Sequence, residues 1–199
     1  MNEEVEISWE RFLNPAELRS NLLIASIYIS GFEILKDSIA DRIKSFFTIG
    51  FNENGPLVAD EYKKEVLSRN RSPLYASLSW LKDMSAIDDD DMRAFEEVRR
   101  CRNELAHEMT QFITKGMKSD CMAQFGAMIA LIKKIEIWWI VNVDMATDPD
   151  MTGSEVDESQ IIPGSVIVLK VLSDIAFGSE EESILYYNEL VKKKEGSSS

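Results

Sequence analysis

Apolar residues recur along most of this chain every third or fourth position, the spacing that lines one face of an α-helix. In "NPAELRSNLLIASIYISGFEILKDSIADRIKSFF" the start signals stack up, with Asn14 as N-cap, Pro15 at the first helical position and Glu17 in the first turn. They predict a long helix from 15 to about 48. "GFNENGP" at 50–56 breaks the pattern, and a charged helix over about 57–70 follows. Ser72 and Pro73 repeat the start signal for a short helix ending near 86, and "MRAFEEVRRCRNELAHEMTQFITKG" keeps helical spacing up to Gly116. A further long helix is expected over about 119–143.

Beyond it, 144–160 is polar and acidic and reads as an exposed linker. Two more helices fit "PGSVIVLKVLSDIAFG" and "SEEESILYYNELVKKK", although the β-branched run "SVIVLKVL" leaves a strand open as an alternative. The expected organisation is therefore all-α. A helical bundle spans 1–143, an acidic linker or loop 144–160, a C-terminal helical segment packing on the bundle 161–194, and a disordered tail 195–199.

Composition narrows the picture. With 45% hydrophobic residues, 199 residues suffice for a real core. The formal net charge of −13 repels nucleic acid as a whole, so RNA binding would need a local basic patch. The apolar stretches are broken by Gly, Lys or Glu before they reach membrane-spanning length, and "MNEEVEISWE" is no secretory signal, so a cytoplasmic protein is expected. Its two cysteines, Cys101 and Cys121, lie outside any CxxC pair or histidine cluster. Reduced thiols, no zinc and no cofactor are the expectation. The run "DDDD" at 88–91 is expected to cap the following helix and complement its dipole, since a divalent ion needs ligands from converging elements. Trp80, Trp138 and Trp139 could stack on bases, but their apolar neighbours favour core packing.

Projected as a helix, residues 92–115 separate into two faces. Val98, Leu105, Met109 and Phe112 fall within about 60° of one another and should be buried, while Glu96, Arg100, Asn103, His107 and Gln111 lie opposite. Such a polar stripe is either a solvated face or a site, and it carries the sole histidine, His107. Arg102 projects about 140° from His107, into the apolar stripe, where a guanidinium needs a carboxylate partner, a route to the helix edge or a local bend.

"RNELAH" at 102–107 resembles the Arg-x4-His signature of the HEPN superfamily, in its common form with Asn after the Arg. The resemblance implies an up-and-down helical bundle over roughly 15–143 with the motif on a late core helix. It further implies a metal-independent endoribonuclease of a bacterial toxin–antitoxin or phage-defence system, working as a homodimer, with an antitoxin or defence-system protein as a possible partner. Arg102, Asn103 and His107 become the catalytic candidates. Some toxins of this family carry a modifiable tyrosine two residues after the His; Met109 stands there, which does not support neutralisation by that route.

The residue types suit that chemistry. An imidazole exchanges protons near neutral pH, so His107 could act as general base or acid. Arg102 could donate paired hydrogen bonds to phosphoryl oxygens, and Asn103, four residues before His107, could orient the ring or hold a phosphate oxygen. One histidine does not easily serve as both base and acid in one step, whereas two in a symmetric dimer could. Arg99 and Arg100 are candidates for RNA binding, together with Arg93, unless these arginines pair with Glu96, Glu97 and Glu104. The alternative function is a non-catalytic HEPN-like domain for dimerisation or for nucleotide or protein interaction, which the acidic net charge favours.

Overall fold

The structure, a computed structural model, describes residues 3–107, 120–150 and 156–196. It is an all-α bundle with one small β-hairpin. The helices are α1 (Glu3–Leu13), α2 (Pro15–Lys36), α3 (Arg42–Phe46), α4 (Pro73–Asp83), α5 (Asp89–His107), α6 (Cys121–Trp139), α7 (Gly164–Phe177) and α8 (Glu180–Gly196).

Local chemistry explains most of the boundaries. The Asn14 side chain accepts from the backbone N–H groups of Ala16 and Glu17, with Pro15 at the first helical position. α2 does not run unbroken to residue 48. It passes through a π-helical turn, Asp37–Asp41, into α3. The expected breaker at 50–56 lies in a hairpin, in which β1 (Thr48–Asn52) pairs antiparallel with β2 (Gly55–Val58). Gly55 has φ of 111°, which a side chain would oppose, and Asn52 accepts from the Asn54 backbone N–H. The charged helix expected over 57–70 is two irregular turns, a π turn at Tyr62–Val66 and a 3-10 turn at Leu67–Arg69.

α5 begins as expected. Asp88 accepts from the N–H groups of Asp90 and Asp91, and Asp91 reaches back to the N–H of Asp88. This reciprocal cap is the four-aspartate run at work. Lys134 of α6 pairs with both Asp88 and Asp91, tying the start of α5 to its neighbour.

α2, α5 and α6 pack against one another in the centre of the bundle. Tyr28, Phe32 and Leu35 meet Phe95, Val98, Cys101 and Leu105 across from Phe125, Met128, Ile132 and Ile135, all buried. Val98 and Leu105 are thus the buried stripe that the helical projection requires, whereas Met109 and Phe112 lie outside the described residues. Trp80 and Trp139 stack in the core with ring centroids 5.9 Å apart, so they are unavailable to bases.

The segment 164–177 is helical, not a strand, and α7 lies against α2 and α6. The close approach rests on Gly31, where an added Cβ would come within 2.7 Å of Met128 Cε and 3.4 Å of Leu169 Cδ2. A carboxylate fixes the same junction, because Ser38 and Ser165 donate to the two oxygens of Glu136 at 2.8 and 2.6 Å. Within the expected linker, α6 continues through a π turn to Asp144, which pairs with Arg42 at 2.5 Å, and a single turn follows at Met145–Thr147. At the C-terminus α8 runs to Gly196.

Candidate functional site

The α5 motif is built against α2. Arg102 does point toward the apolar side, as its projection requires, and three features make that tolerable. Its guanidinium lies 5.6 Å above the Phe32 ring centroid, its Nη2 is 3.5 Å from Glu33 Oε1, and its Nη1 donates to Asn103 Oδ1 at 3.4 Å. The last two distances are at the long end for charged hydrogen bonds, and the side chain keeps 28% exposure. Its Nε is buried without a hydrogen-bond partner among the described residues. Glu33 is held below the usual carboxylate range, chiefly by the hydrogen bond from Lys36 and then by the charges of Lys36 and Arg102.

His107 is exposed in the final turn of α5, and Asn103 is half-buried. Among the described residues, no hydrogen bond or ion pair joins Arg102 or Asn103 to His107. Within one chain the motif therefore presents two adjacent polar groups and a separate imidazole.

The arginines before the motif face carboxylates. Arg99 donates to Tyr75 Oη at 2.8 Å, reaches Glu96 at 3.4 Å and lies over the Tyr75 ring. Tyr75 in turn donates to Glu96 at 2.5 Å, and burial and that carboxylate raise its pKa. Arg100 pairs with Glu97 and Arg93 with Asp90. Phe32, Glu33 and Tyr75 escape a reading of the sequence. The signal available for Glu33 is a lone carboxylate in the apolar run "GFEIL", the natural counterpart to a lone arginine in another apolar stripe.

One expectation is overturned beside the motif. Cys101 and Cys121 form a disulfide between α5 and the start of α6, with Cα atoms 6.2 Å apart and both residues fully buried. Their separation of 20 in sequence gave no hint, because helix packing rather than chain spacing brings them together. A buried disulfide also sits poorly with the expected reducing compartment. Among the described residues, no group of three or more His, Cys, Asp or Glu side chains could hold a metal ion, and no helix is long and apolar enough to cross a membrane.

No family model, no curated protein and no solved structure matches this chain.

Proposed function

We propose that the chain is a metal-independent endoribonuclease of the HEPN type, from a bacterial toxin–antitoxin or phage-defence system. The observation that carries this reading is the disposition of the motif. The sole histidine is exposed on the same helix as a partly exposed Arg102 whose polar partners are at 3.4 and 3.5 Å, long enough for a phosphate to compete with them. In the reaction, a 2′-hydroxyl attacks the adjacent phosphorus and gives its proton to one His107, while the leaving 5′-oxygen takes a proton from the His107 of a second copy. Arg102 stabilises the charge on the phosphoryl oxygens, and Asn103 orients the guanidinium through its side-chain oxygen. The separation of Arg102 from His107 within one chain fits a site completed by two α5 helices.

A second reading has its own support. Arg93, Arg99, Arg100 and Arg102 each face a carboxylate, on a chain of net charge −13. That arrangement suits a non-catalytic domain for dimerisation or for nucleotide or protein interaction.

Incubation with RNA in excess chelator separates the two. The nuclease reading expects cleavage that leaves 2′,3′-cyclic phosphate and 5′-hydroxyl ends, fails on all-deoxy substrate and largely disappears in His107→Ala with its melting temperature intact. Equal cleavage by wild type and His107→Ala, or none by either, hands the function to the interaction domain.

A further inference from the structure

The four arginines of α5 meet carboxylates in two different ways. Arg93 and Arg100 fall within about 20° of each other by helical projection, and each pairs directly with the acid one turn before it, Asp90 and Glu97. Arg99 and Arg102, about 60° apart on the side facing α4 and α2, stand back from theirs, at 3.4 Å from Glu96 and 3.5 Å from Glu33.

A second donor accounts for the gap in both cases. Glu96 accepts the Tyr75 hydroxyl at 2.5 Å and Glu33 accepts Lys36 at 2.5 Å, so each carboxylate is engaged by a group other than its arginine. The Tyr75 hydroxyl also accepts from Arg99 at 2.8 Å, which seats that guanidinium beside a neutral oxygen. Both guanidiniums lie over aromatic rings, Arg99 at 5.5 Å from the Tyr75 centroid and Arg102 at 5.6 Å from that of Phe32. Phe95 links the two rings, 6.0 Å from Tyr75 and 6.2 Å from Phe32. Three helices thus build one aromatic floor, and two cations sit side by side on it.

We infer that Arg99 and Arg102 bind neighbouring phosphates of one RNA strand, with Tyr75 as a positioning residue that keeps the Arg99–Glu96 pair open. This rests on the RNA reading of the α5 motif and adds a second phosphate contact to it. A guanidinium fork matches two phosphoryl oxygens, and stacking on a ring fixes its plane before the ligand arrives. Residues three apart on a helix have Cβ atoms about 5–6 Å apart, which sets two such forks along a chain of phosphates rather than round a single one. Displacing a long contact costs less than breaking a direct pair, so on a chain of net charge −13 this side of α5 offers a polyanion the least resistance. Without the Tyr75 hydroxyl, Glu96 is released to close on Arg99 as Glu97 closes on Arg100.

The test is binding of a fluorescent single-stranded all-deoxy oligonucleotide, followed by anisotropy in chelator between about 50 and 200 mM salt. Such a probe presents the phosphates without a 2′-hydroxyl, so it is bound without being cut. Tyr75→Phe keeps the ring and should weaken binding about fivefold at the lower salt, the worth of one hydrogen bond. In a Glu96→Gln background the same change should cost less than about twofold, a coupling that a merely structural role for Tyr75 does not produce. Arg99→Gln should lower the slope of log affinity against log salt by about 0.7, one single-strand phosphate contact. Wild-type affinity in Tyr75→Phe overturns the inference, as does an equal loss with and without Glu96, or an unchanged salt slope in Arg99→Gln. Cleavage is scored separately on RNA. Cleavage insensitive to Arg99→Gln sinks the phosphate pair and leaves the nuclease reading standing, whereas Arg99-dependent binding without any cleavage sinks the nuclease reading and leaves the pair.

Discussion

Arg102 is the residue on which structure and function compete. A guanidinium over Phe32 and beside Glu33 packs two helices together, and the same group is the proposed phosphate ligand. Arg102→Ala should therefore lower the melting temperature as well as any RNA cleavage, whereas His107→Ala, exposed at the helix end, should affect cleavage alone. Measuring melting and rate on both variants separates the roles. Glu33 gives a pH signature. Its folded-state pKa is lowered, so its contribution is present above the ordinary carboxylate range and is lost as pH falls through the depressed value. Glu33→Gln should remove that part of the acid destabilisation, leaving a shallower fall of melting temperature between about pH 5 and 3 than in wild type.

Between elements, the molecule relies on a few specific ties. The Cys101–Cys121 bond closes a loop over a sequence separation of 20, which by chain entropy is worth about 3 kcal/mol. Melting with and without reductant should show that loss, and thiol titration of the unreduced, denatured protein should find no free thiol. At the junction of α2, α6 and α7, Gly31→Val should cost about 1–3 kcal/mol, because the new methyls meet Met128, Phe125 and Leu169. Glu136→Ala removes the carboxylate shared by Ser38 and Ser165 and should speed amide exchange in α7 more than in α5.

At the scale of the whole molecule, charge governs any dealings with RNA. A net charge of −13 opposes a polyanion everywhere except at a local site, and the arginines of α5 are already partnered by Asp90, Glu96, Glu97 and Glu33. RNA must therefore displace carboxylates as it binds. Replacing Glu97 with Gln should tighten RNA binding at Arg100, and the gain should shrink between 50 and 200 mM salt, about the range over which phosphate contacts weaken steeply. Filter binding across that range checks it; identical affinity for Glu97→Gln and wild type would place the RNA elsewhere.

The amino-acid sequence by itself determined the helices whose ends carry their own chemistry. Asn14 and the aspartates at 88–91 mark helix starts through bonds made within a few residues, and Pro73 marks another by its fixed φ without a side-chain bond from Ser72, so all three are visible without a fold. The buried stripe of α5 is legible for the same reason, as is the position of Arg102 within it. α1 was not anticipated, since no residue of it is buried and its acidic composition masks the Val5, Trp9 and Phe12 spacing. The strand pairing either side of the Asn52–Gly55 turn and the π turns are hidden as well, because register and packing decide them even where the turn itself has local preferences. Only tertiary structure could bring Glu33 and Phe32 to Arg102, Tyr75 to Arg99, and Cys101 to Cys121. Each of these pairs joins different helices, and which faces meet is decided by the core between them.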